Sequence, residues 1–245
     1  MPKVVAIHSF HSGAGKSIIA ANLAALLSLQ GNRIGLLDGN LLSPDLHTAF
    51  RISESEIVHP FTDYLHGRSS IKDTVLDVTP YAADDVGGRL FLLPNLPQNS
   101  PLNGLDAKLL IDGFRELFHS LRLNTLVLDV GAGLSPITLP FLAIAEALLL
   151  VSRLDQDDLQ GTGVAIDIAR KLEIPMLLLL INRVDHSFDG SQVKSQVEKA
   201  YGCEVATVLP DVSDVAPSSS NLFALTYPNH PFTLKLKHLG ERVVK

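Results

Sequence analysis

Residues 3–17, KVVAIHSFHSGAGKS, hold the most informative pattern in this chain. Lys3 to His8 is a short, nearly continuous apolar run, as expected of a strand covered on both faces. Gly13 and Gly15 then bracket Ala14 and lead through Lys16-Ser17 into an Ala- and Leu-rich stretch. That stretch runs to Gln30 and stops before Gly31, a residue suited to the position just past a helix end. Strand, glycine turn, Gly-Lys-Ser and helix, in that order, form the setting of a phosphate-binding loop. The glycines let successive backbone N–H groups face inward, and the helix adds its free amides and positive dipole end. The expected phosphate-binding residues are therefore Ser12, Gly13, Ala14, Gly15, Lys16, Ser17 and Ile18. Lys16 would carry charge to the β and γ phosphates, and the Ser17 hydroxyl would meet Mg²⁺. Phe10 stands where the common loop has its first glycine, so the strict GxxxxGK[ST] pattern is not met.

Similar apolar runs recur at Arg33 to Leu37, Thr125 to Leu128, Ala147 to Val151, Met176 to Ile181 and Val205 to Leu209, with Leu90 to Leu93 as a further candidate strand. Helical spacing lies between them. Leu110, Phe114, Leu117 and Leu121 share a face behind a capping Asp106. Asp157 to Leu172 is expected to turn Val164, Ile168 and Leu172 inward, and Ser191 to Ala200 to turn Val193 and Val197 inward. The alternation predicts one doubly wound α/β domain over residues 1–245, with a mostly parallel sheet and helices on both faces. Residues 40–104 are less regular, with a short helix at Phe61 to Leu65 and a Pro-, Asn- and Ser-rich loop over 94–103.

The chain has 245 residues, of which 46% are hydrophobic and 19% charged, so it can bury a core and is not a disordered chain. A net charge of −6 argues against a dominant nucleic-acid binder, and DNA partitioning is therefore the least favoured function. One cysteine, Cys203, permits no intramolecular disulfide and no thiolate metal site within one chain, although a symmetric dimer could bring two together. With no apolar run of about 20 residues and no secretory leader pattern, a cytoplasmic protein is expected.

Two aspartates extend the phosphate-loop reading. Asp38 follows the run ending at Leu37, and Asp129 follows the run ending at Leu128 and precedes Val130-Gly131-Ala132-Gly133. In a parallel sheet both carboxylates fall at the carboxyl edge, where they can hold Mg²⁺ directly or through its waters. Gly131 and Gly133 would let the chain approach a γ-phosphate and shift when it leaves.

In these motifs the sequence resembles the MinD/ParA branch of P-loop ATPases, whose deviant loop reads KGGxGK[ST] where this chain has HSGAGKS at 11–17. The likeness continues through Asn22-Leu23-Ala24, IGLLDGNLLSPDL at 34–46 and LDVGAG at 128–133, which is especially like the flagellar-number MinD-like proteins. It extends to LLINRV at 179–184, Leu209-Pro210 followed by Asp211, and LFALTYPNHP at 222–231. The resemblance implies an ATP/ADP and Mg²⁺ site in which Asn182, Pro210 and Asp211 hold the base, and Ser17, Asp38 and Asp129 organise the metal. It also implies a nucleotide-dependent homodimer that answers to a protein effector. Two positions depart from the family pattern. His11 replaces the signature lysine, which reaches a dimer partner's nucleotide. Asn40 replaces the second acid of an Asp-x-Asp pair that positions the attacking water. Histidine supplies no fixed charge and an amide is a poor proton acceptor, so slow, altered or lost hydrolysis is expected, with His11, Lys16, Asp38, Asn40 and Asp129 as the catalytic candidates.

Other features have plainer readings. His8 is expected to be a packed histidine. Asp155, Asp157 and Asp158 suit a helix N-terminus, and Arg153 is either an interface residue or solvent-facing. Phe232, Leu236, Leu239 and Val243 form an apolar stripe within 231–244, flanked by Lys235, Lys237, His238, Arg242 and Lys245. A last helix docked on the domain is the expectation, and contact with the inner face of the membrane is the alternative.

Overall fold

A computed structural model describes residues 2–82, 87–97, 102–185, 187–212 and 222–244. Residues 98–101 of the expected loop, and Lys245, lie outside this set. The first strand, β1 (Lys3–His8), runs into the Gly-Lys-Ser turn and α1 (Lys16–Leu29). The remaining strands are β2 (Arg33–Gly39), β3 (Leu76–Asp77), β4 (Arg89–Leu93), β5 (Thr125–Val130), β6 (Ala147–Ser152), β7 (Met176–Val184) and β8 (Val205–Pro210). They form one sheet in the order β3-β4-β2-β5-β1-β6-β7-β8, parallel throughout except for the two-residue edge strand β3, which pairs antiparallel with β4. The candidate strand Leu90 to Leu93 is therefore real, and the irregular excursion contributes the β3–β4 edge. Chain order reverses beside β1, and an open α/β sheet gathers ligands at the carboxyl end of such a switch point.

Helices cover both faces. On one side lie α1, α8 (Phe223–Thr226) and α9 (Pro231–Val243). On the other lie α4 (Ala107–Leu121), α5 (Thr138–Ala143), α6 (Gln156–Lys171) and α7 (Gly190–Tyr201). Two short helices, α2 (Phe61–Leu65) and α3 (Thr79–Ala82), belong to the excursion. Double coverage explains why β6 and β7 are strands despite their leucines. β6 buries every side chain and β7 buries Leu178 to Asn182, and that tertiary gain overrides the helix preference of Leu.

Helix α1 is buried almost all round, from Ile19 through Ser28, because α9 closes over its outer side. The expected stripe on α9 does this: Phe232, Leu236, Leu239 and Val243 are all buried in that layer, as the docked-helix reading requires. Among the described residues, no helix is long and apolar enough to cross a membrane.

One expected helix face is displaced. On α6 the buried residues are Asp158, Gly161, Thr162, Ala165, Ile166 and Ala169, while Val164 is 51% exposed, Ile168 is half-buried and Leu172 packs against the core as expected. The helix is turned by about one residue, roughly 100°, from the face that apolar spacing suggested. Its small residues allow close approach to the sheet and to the phosphate loop, and this outweighs the size of Val164.

Candidate functional site

The turn after β1 depends on two left-handed glycines, Gly13 (φ 77°) and Gly15 (φ 93°). At Gly15 a side chain is doubly excluded, because a Cβ would lie 2.4 Å from Asn182 Nδ2. That amide, on β7, donates to the Ala14 carbonyl at 2.8 Å and pins the loop to the sheet. The first hydrogen bond of α1 runs from Ile19 N to Gly15 O at 3.1 Å. The N–H groups of Lys16, Ser17 and Ile18 thus have no acceptor within the helix, the condition for anion binding at a helix start. Ser12, Gly13, Gly15, Lys16, Ser17 and Ile18 are among the residues lining a cavity of about 580 Å³. Ala14 is fully buried behind them, and its carbonyl accepts the hydrogen bond from the Asn182 amide.

Phe10 is accommodated by a residue that spacing alone did not reveal. A Cβ on Gly161 of α6 would meet Phe10 Cδ1 at 2.1 Å, Cγ at 2.4 Å and Cβ at 2.9 Å. The bulk that Phe10 adds to the loop is therefore matched by a missing side chain opposite. Gly161→Ala should push the loop out of place and weaken nucleotide binding by about tenfold, the usual scale for a small misplacement of binding groups. Adding Phe10→Ala should recover most of the loss. Nucleotide titration of the single and double variants would show non-additivity, whereas additive losses would mean that the two positions do not communicate.

Asn182, Arg183, Pro210, Asp211 and Val212 wall the cavity on the β7–β8 side, placing the three expected base-contacting residues together. The rest of the floor was not foreseen. Phe223 and Phe232 pack edge to face, with ring centroids 5.4 Å apart, and line the cavity beside Ala21 and Asn22. Asn22 fixes this layer. Its Oδ1 accepts from Ala224 N at 2.7 Å, and its Nδ2 donates to Ile18 O at 2.8 Å. Leu42, Ser43, Asp45 and Leu46 close the side after β2.

The charged groups sit beneath the loop. Asp38 and Asp129 are register partners across β2 and β5, and both are fully buried, so neither lines the open cavity. Asp38 accepts from Leu46 N at 3.0 Å and Asn40 N at 3.2 Å. Burial, and then the neighbouring Asp129, hold its carboxyl well above the usual carboxylate range. Asp129 has no hydrogen-bond partner for either oxygen. Burial pushes its pKa up to about 6, opposed by the nearby Ser17 hydroxyl and by Lys16; Ser17 lowers it by proximity but lies outside good hydrogen-bond geometry. Lys16 Nζ donates to Ser9 Oγ at 3.0 Å. Burial lowers its pKa, while Asp129, Asp45 and Asp158 act in the other direction. His8 is the packed histidine expected: fully buried, with no hydrogen-bond partner for either ring nitrogen, and with its pKa lowered to about 4 by burial and Lys16.

His11 turns toward its own domain. Its Nδ1 lies 3.1 Å from Asp158 Oδ1, which selects the tautomer that donates to the carboxylate. Asp158 also binds Arg153 through Nε at 2.8 Å, and Arg153 reaches Asp155 at 3.0 Å. Asp155 is the N-cap of α6, accepting from Asp158 N. Asn40 Nδ2 donates to Ser43 O at 2.6 Å, while its Oδ1 lies against Gly131. Gly133 N in turn donates to Ser9 O at 3.1 Å, so the segments after β2 and β5 both touch the phosphate loop or each other. Among the described residues, no group of three His, Cys, Asp or Glu side chains could hold a metal ion without help from a ligand.

Comparison with known proteins agrees with this geometry. The family described as the CobQ/CobB/MinD/ParA nucleotide binding domain matches residues 5–222. An uncharacterized ATP-binding protein of Methanocaldococcus jannaschii is 23% identical over 246 residues, covering 100% of this chain and 88% of that relative. The flagellum site-determining protein YlxH of Helicobacter pylori is 25% identical over 208 residues, covering 84% of this chain and 66% of its own length. Among solved structures, the septum site-determining protein MinD of Pyrococcus horikoshii, complexed with Mg-ADP, superposes with a TM-score of 0.80 at 18% identity, covering 99% of this chain and 96% of that one.

Proposed function

The chain belongs to the CobQ/CobB/MinD/ParA nucleotide-binding family, and we propose that within it the protein is an ATP-binding switch that dimerises with nucleotide bound and hydrolyses ATP slowly. The observation that carries this reading is the cavity itself. The same cavity is lined by the helix start with its free N–H groups and Lys16, and by Asn182, Pro210 and two aromatic rings. A lining that combines cationic, amide and aromatic groups suits a nucleoside triphosphate, and the volume lies in the range of about 300–1,000 Å³ common for small-ligand sites.

The residues beneath the loop fit a magnesium ion. Asp129 has two unpartnered oxygens beside Ser17, and both Asp129 and the adjacent Asp38 are buried carboxylates whose pKa values burial raises. When bound, Mg²⁺ would neutralise charge on the phosphates, and most of its ligands would be phosphate and water oxygens. Ser17 would meet it directly, and Asp38 and Asp129 would hold its waters. Lys16 would move from Ser9 to the phosphates. Asn182 with Pro210 and Asp211 would seat the base. The contacts of Asn40 with Gly131, and of Gly133 with Ser9, give nucleotide state a route to the surface around both segments.

A second reading, a nucleotide-sensing scaffold without useful hydrolysis, is favoured by one observation. The only side-chain groups at the expected water-positioning and trans-acting positions are an amide bonded to Ser43 O and a histidine bonded to Asp158. Size-exclusion chromatography with light scattering, without nucleotide and with ADP or a non-hydrolysable ATP analogue, tests the switch. A dimer with the ATP analogue alone is the expected result, and an unchanged mass in all three conditions counts against it.

A further inference from the structure

The segment between β2 and the 3-10 turn at Leu46–Phe50 carries a carboxylate that the reading above does not use. Asp45 occupies the N-cap position of that turn, yet its side chain makes no capping hydrogen bond. Asp38 does that work instead, accepting from Leu46 N. Asp45 is exposed and lines the cavity with Lys16 and Ser17. It stands close enough to Lys16, Asp38 and Asp129 for its charge to act on all three. The second observation is Asp129, fully buried next to the same cation with both oxygens unpartnered. A carboxylate on the cavity wall, a buried carboxylate without partners and the Ser17 hydroxyl are the hard oxygen donors that a hydrated divalent cation takes.

We propose that Asp45 orders the water shell of the magnesium ion bound with the nucleotide, acting from the cavity wall as Asp129 does from beneath. The proposal rests on the nucleotide-site reading. It assigns to Asp45 a carboxylate role that Asn40 cannot fill, since the Nδ2 of Asn40 is held by Ser43 O and its Oδ1 is an amide oxygen. Asp45 is a positioning residue: it acts on the phosphates through water and metal.

Two opposite effects follow. Removing a negative charge beside a triphosphate should tighten metal-free binding, by about two- to fivefold for one partly screened charge. Removing an outer partner of the metal should raise the Mg²⁺ concentration needed for half-maximal stabilisation of the complex by about tenfold or more. The test titrates a fluorescent non-hydrolysable ATP analogue in EDTA, then titrates MgCl₂ at fixed analogue, for wild type, Asp45→Asn and Asp45→Glu. Circular dichroism and a thermal melt establish that each variant is folded. The expected result is tighter metal-free binding and a raised Mg²⁺ midpoint in Asp45→Asn, with the midpoint largely restored in Asp45→Glu. An unchanged midpoint in Asp45→Asn, with or without tighter metal-free binding, overturns the proposal and leaves the nucleotide site standing. Wild-type protein that takes up no analogue with Mg²⁺ overturns both.

Discussion

Replacing Lys16 with alanine is expected to weaken ATP binding by about 100-fold or more, the scale on which one well-placed charge in a closed site acts. The protein should stay folded. Lys16 is a buried cation whose charged form is disfavoured by desolvation, and its hydrogen bond goes to Ser9 Oγ, which also donates to the His11 carbonyl. Losing the ammonium therefore strands no buried group, although Asp129 loses a stabilising neighbour. Calorimetric titration with ATP and Mg²⁺, beside a thermal melt, separates the two effects. A loss smaller than about tenfold would mean that Lys16 does not face the phosphates.

Asp129→Asn should have effects of opposite sign on stability and function. The folded-state pKa of Asp129 is about 6 against an ordinary value of 3.8, and burial is the main cause. Between these two values the folded state binds more protons than the unfolded chain, so this group's contribution makes stability fall as pH rises through the window. Above pH 6 the ionised carboxylate destabilises the ligand-free protein, by up to about 3 kcal/mol at 1.36 kcal/mol per unit. An amide of the same shape avoids that penalty. The variant should melt at a higher temperature than wild type at pH 7, with the difference shrinking toward pH 4. Its Mg²⁺-dependent gain in nucleotide affinity should be largely lost. Urea denaturation across pH 4 to 8 measures the first effect and metal-dependent titration the second. A variant less stable than wild type at pH 7 would show that Asp129 has a stabilising partner in the ligand-free protein.

Much of this site was visible in the residue order because its parts are local. Strand, αL glycines, Gly-Lys-Ser and helix form one contiguous unit, and each Asp follows directly on a buried run. Asn182, Pro210 and Asp211 came from family resemblance, and the parallel register of β7 with β8 brings them to the same wall. What the sequence left unread depends on contacts between distant segments. The pairing of Phe10 with Gly161 joins the loop to α6, and nothing in the sequence near either residue announces it. The aromatic floor from Phe223 and Phe232 exists because α8 and α9 fold over α1. Asp45 carries no signal of its own in the stretch 34–46, and its freedom to face the cavity shows only once Asp38 is seen to hold the turn. The inner face of α6 was misplaced because apolar spacing rewards Val164, while packing against the loop rewards small residues.

The central claim is that the turn after β1 cradles nucleotide phosphates with Lys16 at their far end. Isothermal titration of ATP into the purified, folded wild-type protein, with and without Mg²⁺, tests it most directly. Saturable uptake of one nucleotide per chain, tightened by Mg²⁺ and abolished by Lys16→Ala, is the predicted result. Folded protein that binds neither adenine nor guanine nucleotides in the presence of Mg²⁺ would contradict it.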